Sequence, residues 1–213
     1  MDRRAAAPLA AAQGVLDFWF GQGSMDAAGL EQRMRFWFGA DDEAIQHVRD
    51  EEVRERFGAL AARAALGELD HWASSPHRLL ALILLLDQFP RQIHRGTAQA
   101  FWQDPKALEL SLGGMHHGAD AALDLPERLF FYMPLQHAES VDMQEESVAA
   151  FRRLRDEAPA LLRPVFEQAH AHALKHQEII VRFGRFPHRN AVLGRDSSAE
   201  EVAWLRTAER FGQ

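Results

Sequence analysis

Residues that start and stop helices recur along this chain of 213 residues, and they constrain its fold more than any other feature. Ser-Pro at 75–76 and Asp-Pro at 104–105 each place an N-cap residue before a proline at the first helical position. Pro90 is expected to end the helix that opens at 75–76. A capping-box pattern spans 198–201, and Gly184 stands where a glycine should stop a long helix. This pattern predicts helices joined by short loops.

Amphipathic segments lie between these signals, near residues 42–66, 141–156 and 160–183. Strand-forming residues are scarce, whereas alanine, leucine, glutamate and arginine abound. We therefore predict an all-α fold of about eight to ten helices, stacked as antiparallel pairs. No Gly/Ser linker or charge block divides the chain, so residues 1–213 are expected to form a single domain, with 1–10 as a disordered N-terminus.

The composition argues against several classes of protein. There is no cysteine, which excludes disulfides, thiolate metal sites and cysteine nucleophiles. A net charge of -7 disfavours nucleic-acid binding, because a phosphate backbone requires a broad basic face. The longest apolar run, "LLALILLL" at 79–86, is too short to cross a bilayer, and the N-terminus lacks the apolar region of a signal peptide. We expect a cytoplasmic protein with no membrane or nucleic-acid partner.

Three polar residues, Asp87, Gln144 and His176, fall within the apolar stripes of predicted helices. Buried polar groups must be paired, so the three together suggest a shared polar interior or cleft. The alternative is that each one is satisfied separately by nearby backbone or by an arginine.

Two predicted loops are rich in positive charge: "RQIHRG" at 91–96 and "GRFPHRN" at 184–190. Guanidinium groups bind carboxylate and phosphate bidentately, so clustered arginines in an acidic protein suggest a localised anion site. Arg182 is set aside, because Glu178 one turn earlier can pair with it. A structural ion-pair network that holds the loops to the helices remains an equal alternative.

Two pairs of residues are candidates for further chemistry. His137 and Glu139, two apart in a predicted turn, suggest a proton-transfer pair, or an ordinary loop contact. His172 and His176 share one helix face, but a catalytic zinc site needs a third protein ligand, so no metal is predicted. Phosphate-loop, dinucleotide-binding and serine-hydrolase motifs are absent from the sequence, and no cofactor is predicted.

Three long segments carry a family resemblance: "LLLDQFPRQIHRGTAQAF" (84–101), "LFFYMPLQHAES" (129–140) and "HQEIIVRFGRFPHRNAVLGRDSSAEE" (176–201). Two shorter segments, "VLDFWFG" (15–21) and "GELDHW" (67–72), add to it. The three long segments resemble the signature blocks of one family of bacterial proteins, DUF924, and the two short segments are also similar to it. The likeness extends over nearly the whole chain, and the block at 176–201 makes it specific.

The resemblance implies an all-helical fold similar to the tetratricopeptide-repeat superfamily, and it implies no known substrate. The family pattern after the histidine at 137 often carries a serine, where this chain has Ala138. A serine nucleophile at that position is therefore not possible here.

From these observations we predict that the chain leaves its long helix at Gly184 and folds back over that helix. This would form one polar cleft for a small anionic ligand, with acid–base chemistry from His137, Glu139 or His176. The remaining ligand-binding candidates are Asp87, Arg91, Gln144, Arg185, His188, Arg189 and Asn190. Whether the protein is an enzyme stays open at this point, as does its oligomeric state.

A competing prediction is a tetratricopeptide-repeat-like module that binds a peptide or partner protein, with the polar motif structural. It requires an extended groove with exposed apolar residues. Its first candidates are Trp19, Phe20, Trp37 and Phe38, for which core packing is the other interpretation.

Overall fold

A computed structural model describes residues 3–22, 27–39 and 42–207. Within these ranges the chain forms α-helices and short 3-10 turns and no β-strand, which confirms the all-α prediction. Residues 1 and 2 lie outside these ranges, and the side chains of residues 3–9 are not described. The disordered segment expected at 1–10 therefore stays a prediction, as does the repeat-like superhelix. The helices are α1 (Arg3–Phe20), α2 (Ala27–Phe38), α3 (Glu43–Ala65), α4 (Pro76–Ile93), α5 (Asp104–His116), α6 (Leu125–His137), α7 (Val141–Glu157), α8 (Arg163–Phe183) and α9 (Ala199–Leu205).

Helix α4 lies at the centre of the protein. It packs against α1, α3, α5 and α6, and each helix from α3 to α7 also contacts the next one along the chain. Residues 79–87 of α4 are all buried, which explains why "LLALILLL" shows no alternation of polar and apolar residues. Even so, no helix in the described part of the chain has the length and hydrophobicity needed to cross a membrane.

Pro90 does not end α4, contrary to the sequence-based prediction. The helix continues through Pro90 to Ile93, and the His94 N–H donates to the Pro90 carbonyl to close the last turn. A proline this close to the C-terminus removes one hydrogen bond without blocking the turn that follows. As a result Arg91 belongs to the helix and not to a loop, one turn after Asp87.

The N-terminal aromatic residues form part of the core. Trp19 and Trp37 are buried, and the Trp37 indole N–H donates to the Trp19 carbonyl over 2.9 Å. Both rings pack edge-on against Phe130 of α6, while Phe38 stacks on it and is 51% exposed. Core packing is therefore the role of the two tryptophans.

The predicted helix ends near the basic loop are confirmed. Gly184 follows α8 with a φ of 69°, a left-handed conformation that glycine adopts without strain. Ser198 and Glu201 form the expected capping box at the start of α9. Ile179 and Ile180 of α8 form a small buried apolar cluster with Phe186 of the loop that follows it.

Candidate functional site

The segment after Gly184 folds back over α8, as the sequence suggested. Phe186 is fully buried, and its ring lies 5.5 Å from the ring of His176 on α8. The Phe186 N–H donates to Glu139 Oε1 over 2.8 Å, which ties the loop to the turn between α6 and α7. The loop thus covers the face of α8 on which His176 lies.

One group of residues holds this loop in place, and we call it the outer brace: Glu139, Arg185, Asn190, Arg195 and Glu201. Arg185 and Asn190 were predicted as ligand-binding residues, and Glu139 as a catalytic one. Arg195 donates to both carboxylate oxygens of Glu139, over 2.7 and 2.9 Å. Arg185 forms a bidentate pair with Glu201, at 2.7 and 2.9 Å. Asn190 accepts from Arg195 Nε and donates to Ser197 Oγ, each over 3.0 Å. These side chains have carboxylate or polar partners inside the protein.

The charges of the outer brace agree with this structural role. Burial alone would raise the pKa of Glu139, but its hydrogen bonds to Arg195 and to the Phe186 N–H outweigh burial and lower it. Glu139 therefore carries its charge at neutral pH and is fully engaged. The proton-transfer pair that the sequence suggested between His137 and Glu139 is not formed.

Arg182, which was set aside in the sequence analysis, forms an ion pair with Glu200 at 2.8 Å, whereas the predicted partner was Glu178.

A second group forms a continuous chain of buried contacts, and we call it the inner cluster: Asp87, Arg91, Asp104, His137 and Arg189. His137 Nδ1 lies 2.7 Å from Asp87 Oδ1, and the same oxygen lies 3.4 Å from Arg91 Nη1. Arg91 forms a bidentate pair with Asp104, with both contacts at 2.9 Å. Arg189 Nη1 then donates to Asp104 Oδ2 over 3.2 Å.

The charges in the inner cluster fix the tautomer of His137. Burial would raise the pKa of Asp87, but the charge of Arg91 and the hydrogen bond from His137 more than offset burial and hold it well below its usual range. Burial, and then the charge of Arg91, lower the pKa of His137, so the imidazole is neutral at pH 7. An ionised carboxylate can only accept, so Nδ1 of His137 carries the proton and Nε2 carries the lone pair.

Arg189 is the least satisfied cation of the inner cluster. Its side chain is buried, with 7% of the residue exposed, and its Nε–H has no hydrogen-bond acceptor. The Cζ atom lies 4.6 Å from the ring centroids of both Phe101 and Phe186. Burial, and then repulsion from Arg91, lower the pKa of Arg189 to about 10, which leaves it charged at neutral pH.

Two further histidines lie beside the inner cluster. His176 Nδ1 lies 2.8 Å from the His172 carbonyl, and burial lowers the pKa of His176 to about 3. Burial, followed by the charge of Arg189, lowers the pKa of His188 to about 4. Both are therefore neutral at pH 7. The charged groups of the inner cluster are then two carboxylates and two guanidinium groups.

Gln144 serves the site indirectly. Its side-chain amide donates to the carbonyls of Gln136 and Ala138, each over 2.8 Å, at the end of α6. Unpaired carbonyls at a helix C-terminus need such a donor when they are buried. Gln144 thus fixes the end of the helix that carries His137, and the ligand-binding role predicted for it is not supported by these contacts.

Sequence reasoning missed two residues that complete the site. Asp104 was interpreted as an N-cap, but α5 begins at Asp104 itself, and its carboxylate joins Arg91 to Arg189. Phe101, in the 3-10 turn before α5, provides one of the rings beside Arg189. An aspartate before a proline is a common helix start, so the sequence held no distinct signal for the role of Asp104.

A cavity of 310 Å³ lies elsewhere, between α3, the end of α4 and the segment that leads to α5. None of its lining residues is a carboxylate, lysine or arginine. Trp102, one of the lining residues, is 63% exposed. Its lining consists of Gly58, Ala61, Ala62, Ala65, Leu85, Pro90, Ile93, His94, Gln99, Trp102 and Gln103.

Metal binding has no geometric support in the described part of the chain, where no three histidine or carboxylate side chains are grouped to hold an ion. The His172 carbonyl lies 2.8 Å from His176 Nδ1.

The comparisons with known proteins agree with the fold and assign no activity. No curated protein matches the chain. A solved structure of a protein of unknown function from Agrobacterium tumefaciens, ATU0120, is similar, with a TM-score of 0.72 and 33% sequence identity. The match covers 94% of this chain and 99% of the other. Residues 15–209 match the family described as bacterial protein of unknown function (DUF924), and the chain therefore belongs to the DUF924 family.

Proposed function

We propose that this protein binds a small anionic molecule at the inner cluster, and that His137 exchanges a proton with the bound molecule. One observation carries the proposal. A buried arginine with an unsatisfied N–H, Arg189, shares a contact network with an oriented His137–Asp87 pair.

The His137–Asp87 pair has the arrangement of a general base with its orienting group. The buried carboxylate accepts from Nδ1 over 2.7 Å, which holds the ring and leaves Nε2 as the basic atom. A neutral imidazole at pH 7 can accept a proton without first losing one. His137 is also the more accessible partner, since 13% of its side chain is exposed and none of the Asp87 side chain is.

The arginines separate into two roles. Arg91, Arg185 and Arg195 each form two short contacts to one carboxylate, which supports a structural role for them. Arg189 has a single contact of 3.2 Å, to a carboxylate oxygen that Arg91 also uses. Among the predicted ligand-binding arginines, Arg189 therefore has bonding capacity left for a ligand, and we assign the anion site to it.

Thermal unfolding with a panel of ligands tests the binding part of the proposal. The panel includes inorganic phosphate, sulfate, simple carboxylates and phosphorylated metabolites, each at constant ionic strength. A ligand at about a hundred times its Kd should stabilise the protein by roughly 2.7 kcal/mol, or about 5 to 10 °C for a domain of this size. We expect Arg189→Ala to abolish that shift, while the matched control Arg185→Ala keeps it.

The outcomes separate the two roles of the arginines. If no compound shifts the melting temperature of the wild type and Arg189→Ala is strongly destabilised, Arg189 is a structural residue and the proposal fails. A shift that Arg185→Ala abolishes equally would place the anion at the outer brace instead.

Proton transfer is tested separately with any ligand from the screen that carries carbon-bound protons. The bound ligand is incubated in D₂O, and exchange of its carbon-bound protons is followed by NMR. Wild type should catalyse the exchange, whereas His137→Gln should bind the ligand with similar affinity and lose the exchange. Equal exchange by both proteins would remove His137 from the chemistry.

A second candidate function, partner binding, is favoured by the cavity beside Trp102. An exposed tryptophan next to an uncharged cavity of 310 Å³ is suited to an apolar side chain of a peptide or partner protein. If this surface binds a partner, Trp102→Ala should abolish its capture while Leu161→Ala, a control at an equally exposed apolar residue, retains it. Equal capture by both variants would remove Trp102 as the docking residue.

A further inference from the structure

The hydrogen-bonding edges of Arg189 are used unequally. Nη1 donates to Asp104, whereas the buried Nε–H has no acceptor. In a guanidinium group, Nε–H and one Nη2–H point in parallel from the same edge, and this edge matches the two oxygens of an oxyanion. The unsatisfied edge of Arg189, which is buried, is thus the one that pairs side-on with an anion.

Two aromatic rings limit the shape of such an anion. Phe101 and Phe186 both pack against the guanidinium, with their centroids 4.6 Å from Cζ. Both rings therefore occupy space beside the guanidinium group, which leaves less room for a bulky anion than for a small, flat one. A flat carboxylate has both oxygens in one plane, whereas a tetrahedral phosphate also carries oxygens out of it.

The charge balance limits how much negative charge the site accepts. Asp87 and Asp104 already balance Arg91 and Arg189. Because these four charges already cancel, every negative charge that a ligand brings is left unbalanced in the cluster, and burying an unbalanced charge is unfavourable. A group with one negative charge is therefore less costly to bind there than a dianion, and Arg189, with its single contact to a shared oxygen, has bonding capacity left for it.

We infer that the anionic group of the ligand is a single carboxylate, held side-on by the Nε–Nη2 edge of Arg189. This inference rests on the proposed function and specifies its ligand class. The other source of a bidentate oxyanion, a phosphate or sulfate group, is a distinct outcome of the test.

The test is an NMR titration of the wild-type protein at pH 7, with sodium chloride used to hold ionic strength constant. The probes are acetate, propionate and benzoate on one side, and inorganic phosphate and sulfate on the other. We expect at least one carboxylate to bind roughly tenfold more tightly than either tetrahedral anion. Arg189→Lys keeps the charge but removes the planar pair of N–H groups, so it should weaken that carboxylate roughly tenfold. Arg185→Lys, in the outer brace, should leave the affinity within about twofold.

A second readout needs no variant and covers the case in which Arg189→Lys fails to fold. The Nε–H resonance of Arg189 in wild type should move on carboxylate addition, and it should not move on addition of sodium chloride alone. An unmoved resonance with a bound carboxylate would overturn the inference.

The remaining outcomes separate the carboxylate class of the ligand from the existence of the anion site itself. Phosphate or sulfate binding as tightly as the carboxylates, and dependent on Arg189, would overturn the carboxylate class and leave the anion site standing. No binding by any of the five probes would overturn both.

Discussion

Lowering the pH from 7 to 5 should destabilise this protein through two buried histidines. His176 and His188 lie beside the inner cluster, where burial lowers the pKa of His176 to about 3 and that of His188 to about 4. In the unfolded chain each histidine binds a proton with a pKa of about 6.5. Between these values the unfolded state binds more protons than the folded state, so stability is full above pH 6.5 and falls as the pH drops.

The size of the effect follows from the two shifts. At pH 5 each histidine is almost fully protonated in the unfolded chain and neutral in the folded protein, which costs about 2 kcal/mol per residue relative to pH 7. Together they should lower the free energy of unfolding by about 4 kcal/mol. His137 adds to this loss, because burial also lowers its pKa. For a domain of this size the melting temperature should fall by roughly 8 to 16 °C.

Urea unfolding at pH 7 and pH 5, followed by circular dichroism, measures the loss directly. His176→Gln and His188→Gln should each reduce the difference between the two pH values by about 2 kcal/mol. His71→Gln removes an exposed histidine and should leave the difference at its wild-type size. If the wild type loses less than about 1 kcal/mol between pH 7 and pH 5, the two histidines are not neutral buried groups, and the described electrostatics of the site are wrong.

Three substitutions test the packing around the site by urea unfolding. Gly114→Ala should lower the free energy of unfolding by about 1 to 3 kcal/mol, because the added Cβ would lie 2.4 Å from a phenylalanine ring atom of α6. Gly113→Ala places its Cβ in open space, so its stability should equal or exceed that of the wild type. Gln144→Glu should lower the free energy of unfolding by at least about 3 kcal/mol, because it places a buried carboxylate against the carbonyl oxygens at the end of α6. Glu145→Gln, at an exposed neighbouring position, should stay within about 0.5 kcal/mol of wild type. Asp87→Asn should cost about 3 to 5 kcal/mol, because it removes a buried negative charge and leaves its cationic partner. If a variant is as stable as its control, or as the wild type in the case of Asp87→Asn, the contact on which that prediction rests is not formed.

Much of the fold could be predicted from local sequence. The caps at Gly184 and at 198–201 follow from the chemistry of a few adjacent residues, and they appear where expected. The amphipathic segments 141–156 and 160–183 correspond closely to α7 and α8. Pro90 was an exception, because a proline removes a hydrogen bond to the turn before it and leaves the turn after it free to form, so the helix continues to Ile93.

The composition of the site was predictable and its pairing was not. Asp87, Gln144 and His176 were found because each interrupts an apolar stripe, and all three are buried. Which carboxylate faces which cation depends on how distant helices pack, and no local pattern encodes it. Asp104 contacts Arg189 across 85 positions of sequence, and its place before a proline offered a complete local explanation.

The central claim is that His137 presents a basic nitrogen at the anion site, and one measurement addresses it most directly. In protein labelled with ¹⁵N at the imidazole nitrogens, a long-range ¹H–¹⁵N spectrum at pH 7 reports which nitrogen of His137 carries the proton. We predict a neutral ring protonated at Nδ1, with an Nε2 resonance that shifts when a bound anion from the ligand screen is added. A proton on Nε2, or on both nitrogens, with no response to any anion, would contradict the account.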